Sequence, residues 1–251
     1  MNLQYFFTFL KKRSHCNWQH DLLYTCCRFL ARLLFKAFCR VHLVILDPPP
    51  LLGPCIVASS HTSHFEPALL SAFFPRSLDW VAMQELFSHP LGSWFFEHLN
   101  VISIDRSGEK PSKNRRALET MLKRLSHGRA IGIFPEGGIR SGSSSILEKA
   151  PMKPGFLSLS ILAQAPIIPC VILGSDRLYQ LGCWLRRPTL WMIIGEKILP
   201  PQQEGLSSKE SREELEVKVH SIFPALQEEL CRRFELRRED LPKTAQERRK
   251  A

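Results

Sequence analysis

The chain has 251 residues, 44% of them hydrophobic, with 23% charged and a formal net charge of +10. That length and apolar content support a sizeable core and exclude a wholly disordered or collagen-like chain. The excess charge is concentrated at the front: residues 1 to 46 hold seven Lys/Arg against one acid, whereas residues 206 to 251 hold eleven against ten. A basic front end suits a nucleic acid, an anionic membrane surface or simple solubility.

At the start, "YFFTFL" precedes Lys11, Lys12 and Arg13, the reverse of a secretory signal, so no cleaved leader is expected. From Leu22 to Leu46 the run "LLYTCCRFLARLLFKAFCRVHLVIL" has the length of a bilayer span, but Arg28, Arg32, Lys36 and Arg40 interrupt it every fourth residue. On a helix they form one basic stripe, drifting by about 40° per step. Four charges at about 2.5 to 3.5 kcal/mol each oppose insertion to the bilayer centre. The expectation is therefore an amphipathic helix at a membrane interface, apolar side in the acyl region and cations at anionic lipid phosphates. The alternative is a helix packed on its own domain with a solvated basic face. No helix-turn-helix, zinc-finger or aromatic RNA-binding signature accompanies the charge, and no nucleic-acid partner is expected.

Beyond Pro48 to Pro50, short apolar runs alternate with helical patterns in the rhythm of a βαβ arrangement. Strands are expected near Cys55 to Ala58, Leu78 to Ala82, Val101 to Ile104, Ala130 to Phe134, Ile167 to Leu173 and Leu190 to Ile194. Helices are expected at Glu66 to Phe74, His89 to Leu99, Lys113 to Ser126 and Phe156 to Ala163. A last one covers Ser208 to Phe234, with Pro224 as a candidate break, before a polar tail. The fold class is α/β, a mixed βαβ sheet core flanked by helices, with an N-terminal amphipathic docking element. Its organisation reads as a membrane-associated helical element over 1–46, an α/β core over 47–205 and a C-terminal helix and tail over 206–251. The eight cysteines form no C-x-x-C pair, so reduced, mostly buried thiols and a cytoplasmic compartment are expected.

The stretch "SSHTSHFEP", Ser59 to Pro67, follows a predicted strand directly, where α/β proteins place ligand sites. Three readings compete for it. H-T-S-H-F-E is not the H-E-x-x-H order of zinc proteases, which disfavours a metal set, and a lone histidine is often structural. A base paired with a carboxylate fits better: one imidazole nitrogen takes a hydroxyl proton only if the other is held as a donor. His61 and Glu66, five apart across a loop-to-helix turn, meet that need. Ser59, Ser60 and Ser63 lie outside any G-x-S-x-G context, so direct attack by a substrate hydroxyl is the simpler mechanism.

Four blocks in order resemble the glycerolipid acyltransferases typified by 1-acyl-glycerol-3-phosphate acyltransferase. "HTSHFE" resembles that family's H-x4-D block, "VISIDR" its second, "FPEGGIRSG" its F-P-E-G-T-R-S block and "APIIPCVI" its V-P-I-I-P-V block, together spanning about Pro54 to Gly174. The resemblance implies His61 as the general base and Glu66, in place of aspartate, as its orienting acid. It implies Arg106, Glu136, Gly137 and Arg140 at the acceptor, and Pro169 as a shape element. Chemistry agrees: Gly137 and Gly138 let backbone N–H groups approach an anion, and Arg106 and Arg140 fork onto phosphate oxygens. The activity implied is transfer of a fatty acyl group from acyl-CoA or acyl carrier protein to a lysophospholipid hydroxyl, foremost 1-acyl-glycerol-3-phosphate, at the cytoplasmic face of a membrane. No metal or other cofactor is implied. A different lipid acceptor, or an inactive lipid-binding relative in which Glu66 blocks turnover, remain alternatives.

Overall fold

A computed structural model describes residues 18–106, 111–202 and 208–242. "YFFTFL", the triplet Lys11 to Arg13 and the tail beyond Pro242 lie outside these residues.

Helix α1 (Trp18–Phe38) leads into strand β1 (Arg40–Ile45), then β2 (Cys55–Ser59), α2 (Glu66–Phe73), β3 (Leu78–Met83) and α3 (Pro90–His98). Strand β4 (Ile102–Ile104), α4 (Pro111–Ser126), β5 (Ala130–Ile133), α5 (Gly155–Ala163) and β6 (Ile167–Leu173) follow. The short α6 (Leu181–Leu185), β7 (Thr189–Ile194) and the long α7 (Ser208–Phe234) complete the chain. Among the described residues the strands form a seven-stranded sheet in the order β1-β7-β6-β2-β5-β3-β4. From β6 to β4 every pairing is parallel, while β7 runs antiparallel to β6 and carries β1 parallel to itself.

The central strands β2 and β6 are buried along their whole length, which is why they read as continuous apolar runs rather than alternating ones. Their side chains still alternate between the faces. Ile56, Ala58, Ile167 and Val171 pack with α4, α5 and α7; Cys55, Val57, Ile168 and Cys170 pack on the side of α1 and α2. Helix α4 turns Ala117, Met121 and Leu125 inward, the spacing of one helical face. Pro169 is tolerated inside β6 because the ladder to β7 begins only at Cys170, opposite Ile194. Its ring packs beside Gly195, where an added Cβ would come within 3.0 Å of it.

Two expectations are corrected. The run from Leu22 to Leu46 is not one helix: Arg40–Ile45 forms β1, paired with β7 at the sheet edge, so these residues join the sheet of the core. β-Branched Val41, Val44 and Ile45 favour the strand. Helix α7 also continues through Pro224. Burial of Leu215, Val219, Phe223, Leu226 and Leu230 on one face outweighs the roughly 3 kcal/mol that an interior proline costs.

Helix α1 packs on the sheet side through Tyr24 and Phe35, and the Tyr24 hydroxyl accepts from the Leu78 N–H at 2.9 Å. The basic stripe divides: Arg28 is half-buried, whereas Arg32, Lys36 and Arg40 are exposed. Arg28 donates to the Phe74 carbonyl at the end of α2, and Arg32 lies over the Phe73 ring. The outward face is apolar, with Phe29 69% exposed and Leu30 and Leu33 each 55% exposed. Among the described residues no helix is long and apolar enough to cross a membrane. Among the described residues seven cysteines are free thiols, of which Cys39, Cys55 and Cys170 are buried.

Candidate active site

The loops leaving the carboxyl ends of the parallel strands meet at one edge of the sheet, the usual ligand-binding edge of such folds. His61 follows β2, Arg106 follows β4, Glu136 to Arg140 follow β5 and Ser175 follows β6. Residues scattered over 115 positions of the sequence thus converge.

His61 and Glu66 meet as the spacing predicts, Nδ1 to Oε2 at 2.9 Å. Glu66 opens α2 with Pro67 behind it, so its carboxylate sits at the positive end of the helix dipole. It is fully buried, and buried charge requires partners. The Thr62 N–H donates to both oxygens at 3.0 Å, the Thr62 hydroxyl donates to Oε1 at 2.7 Å and the Ser175 hydroxyl donates to Oε1 at 2.7 Å. His61 is only 8% exposed. Its ring stacks on Phe134 with centroids 3.8 Å apart, and Phe134 in turn stacks on Trp80 at 5.0 Å. Gly132 makes that stack possible, since a Cβ there would press within 2.8 Å of the Trp80 ring. His64 is engaged elsewhere, its Nδ1 2.6 Å from the Tyr179 hydroxyl.

Glu136, expected at the acceptor, is instead turned inward. It is buried, with Oε2 accepting from the His61 N–H at 2.9 Å and Oε1 from the Ser145 hydroxyl at 2.6 Å and the Ile146 N–H at 2.8 Å. Both oxygens are taken by the loop that carries His61 and by the 145–146 turn, so the carboxylate braces that loop rather than facing outward. Burial pushes its carboxyl up to about 7, against the opposing pull of those three donors and with the help of nearby Glu66. The sign follows from linkage: between pH 4.5 and 7 the folded chain holds more protons at this site than the unfolded chain, so its contribution to stability falls as pH rises. At about 1.4 kcal/mol per pH unit, the change across the window is roughly 3 kcal/mol. Thermal melts of wild type and Glu136→Gln from pH 5 to 7 are expected to show the wild type losing more of its Tm on the way up.

Arg106 and Arg140 come together over Gly138. A Cβ built on Gly138 would lie 3.6 Å from Arg106 Nη1 and 3.9 Å from Arg140 Cζ, and both side chains are exposed. Gly137 has a φ of +67°, a conformation that glycine adopts without steric cost, and this tightens the turn. Lys153, absent from the sequence reading, lays its aliphatic carbons over Gly137, its Cγ 3.2 Å from where a Cβ would sit. The Arg140 N–H donates to the His61 carbonyl at 2.8 Å, so the cationic turn and the imidazole loop are fixed to each other. Phe134 was legible as a strand end but not as a ring beneath the imidazole. Ser175, 109 residues from Glu66 in sequence, carried no local signal.

Beside this edge lies an apolar groove of about 440 Å³ between α1, α2 and α6, lined by Ala31, Leu34, Phe35, Phe38, Phe65, Ala68 and Trp184. Phe65 immediately precedes Glu66, so the groove begins next to the buried pair. Among the described residues no cluster of three or more His, Cys, Asp or Glu side chains could hold a metal ion.

The sequence model of the Acyltransferase family matches residues 40–173, just over half of the chain. The chain belongs to the acyltransferase family. The matched region contains β1 to β6 and, with them, His61, Glu66, Arg106 and the Glu136 to Arg140 turn. A 1-acyl-sn-glycerol-3-phosphate acyltransferase of Bacillus subtilis is 26% identical over 156 residues, 62% of this chain and 72% of that protein. Proteins of the same name from Limnanthes alba and Pseudomonas aeruginosa are 26% and 29% identical, over 67% and 57% of this chain. Those alignments span 57% and 53% of the two relatives, so the chain spans little more than half of their length. The crystal structure of the 1-acyl-sn-glycerophosphate (LPA) acyltransferase PlsC from Thermotoga maritima superposes with a TM-score of 0.61. It covers 90% of this chain and 89% of that one at 22% identity, a likeness of fold. Within this acyltransferase fold the N-terminal strand β1 is part of the family's own matched region, which the alternation of the sequence did not disclose.

Proposed function

We propose that the protein transfers a fatty acyl group from a thioester, acyl-CoA or acyl carrier protein, to the free hydroxyl of 1-acyl-sn-glycerol-3-phosphate, giving phosphatidate. The observation that carries this reading is the buried His61–Glu66 pair, 2.9 Å apart, fixed by a backbone hydrogen bond to a turn where two arginines converge. With Nδ1–H donating to the carboxylate, His61 presents Nε2 as the acceptor of the substrate hydroxyl proton. The oxygen attacks the thioester carbonyl, the tetrahedral intermediate collapses and the thiol departs, taking the proton back from the imidazolium. Glu66 stabilises that imidazolium while it exists.

Arg106 and Arg140 take the acceptor phosphate, where guanidinium pairs form charge-assisted, two-pronged hydrogen bonds. The groove next to Phe65 is apolar on every side and large enough for a stretch of hydrocarbon chain. The outward apolar face of α1, flanked by Lys36 and Arg40, suits contact with one leaflet of an anionic membrane, from which a lysolipid would enter.

A product assay with acyl-CoA and a panel of lyso-acceptors tests the reading. Lysophosphatidate is expected to turn over at least tenfold faster than a neutral monoacylglycerol. Arg106→Ala and Arg140→Ala are each expected to raise KM for lysophosphatidate by about tenfold and to erase most of that preference. Equal rates on charged and neutral acceptors sink the acceptor assignment. With acceptor presented in anionic vesicles, Leu33→Glu is expected to slow turnover while leaving the rate on dispersed monomers unchanged; no vesicle effect removes α1 from the membrane.

A further inference from the structure

Glu66 reaches one methylene further than an aspartate in its place would, roughly 1.5 Å at fixed backbone. The displacement requires something at the far end to define where the carboxylate stops. Two hydroxyls do so here. Thr62 Oγ1 and Ser175 Oγ both donate to Oε1, each at 2.7 Å, and lie 3.2 Å from one another. The imidazole takes Oε2 at 2.9 Å. Oε1 is thus anchored by two hydroxyls, Oε2 takes the imidazole, and the Thr62 N–H spans both oxygens at 3.0 Å, which fixes rotation about the terminal bond of the side chain, a torsion that is otherwise broad.

Thr62 comes from the same loop as His61, but Ser175 comes from the end of the neighbouring strand. It is delivered by the turn that ends β6, where Gly174 has a φ of +83° and an added Cβ would lie 2.6 Å from the Thr189 carbonyl. No larger residue fits at Gly174 without moving β7. Ser175 itself is fully buried, so its hydroxyl has no access to solvent and no exposed role to play.

We infer that Ser175 is a positioning residue for proton transfer, holding the glutamate carboxylate at the distance and angle that orient His61. This rests on the acyltransfer reading above and acts wholly through Glu66; Ser175 touches no substrate. The site is thereby built for glutamate at position 66 rather than merely tolerant of it.

Ser175→Ala removes only an oxygen from a buried position, so folding is expected to survive, checked by a melt. The expected result is a kcat about tenfold lower with KM for both substrates within twofold of wild type. Combined with Glu66→Ala, Ser175→Ala is expected to cause no further loss, since no carboxylate remains to be held. Two results overturn the inference: an unchanged kcat in Ser175→Ala, or the same fold-loss in both backgrounds, which marks a merely structural serine. Full activity in Glu66→Ala alone overturns instead the orienting role of the carboxylate, so the two failures are told apart.

Discussion

His61→Ala is expected to lower kcat by about a thousandfold, with KM for lysophosphatidate within about twofold of wild type. A positioned general base contributes about 10²- to 10⁴-fold, and nothing nearby can replace it: His64 is tied to Tyr179 at 2.6 Å, and both oxygens of Glu136 are occupied by the backbone and Ser145. In the proposed mechanism acceptor binding rests on Arg106 and Arg140, whose place over Gly138 does not depend on the imidazole ring. Loss of the ring removes the stack on Phe134, worth about 0.5–1.5 kcal/mol, so a modest fall in Tm is expected without unfolding. Steady-state kinetics on the purified variant decide the matter. Activity equal to wild type removes His61 as the base.

The chemistry of the site was legible because its donors and acceptors lie close in sequence. Five residues separate His61 from Glu66, and a strand end followed by a helix start folds that spacing into contact. The EGG turn was legible for a similar reason: a glycine at φ +67° leaves a local mark. What supports these groups was not legible. Ser175, Trp80 and Phe134 reach the pair only after β6 and β5 take their places beside β2 and β3 pairs with β5, and that order is a property of the sheet rather than of any window of sequence. Glu136 shows the complementary error. The block containing it was recognised, yet its carboxylate faces inward because the His61 N–H, the Ser145 hydroxyl and the Ile146 N–H would otherwise be buried without an acceptor, a cost that side-chain type alone does not reveal.

The front end shows how pattern and packing part. Cations every fourth residue predicted one helix through Leu46, but the sheet claims Arg40–Ile45 because β7 offers an edge to pair with. Inside α1, Arg28 is less costly turned inward than its charge suggests. It is half-buried, and burial lowers the pKa of its guanidinium from the ordinary value, yet it reaches the Phe74 carbonyl that closes α2, where a cation meets the negative end of the helix dipole. The apolar residues Phe29, Leu30 and Leu33 stay outside, together with the exposed Arg32 and Lys36.

Substitutions at Glu66 are expected to rank Glu above Asp above Gln. Aspartate keeps the charge but shortens the side chain, so its carboxylate cannot reach Ser175 and His61 together; a displacement of about 1 Å in a catalytic set costs about a hundredfold, and a ten- to hundredfold loss in kcat is expected. Glutamine keeps the length and the hydroxyl contacts at Oε1, where Thr62 and Ser175 both donate. Its amide nitrogen must then replace Oε2 opposite His61 Nδ1. Facing a donor, the imidazole takes the tautomer with hydrogen on Nε2, the nitrogen that should accept the substrate proton, and kcat is expected to fall by about 10³- to 10⁴-fold, as for the wrong tautomer in other histidine-carboxylate pairs. The glutamine variant should remain slow at every pH. Gln turning over as fast as Glu means that the carboxylate charge is not what steadies the base, and Asp matching Glu means that the hydroxyl pair on Oε1 does not set its reach.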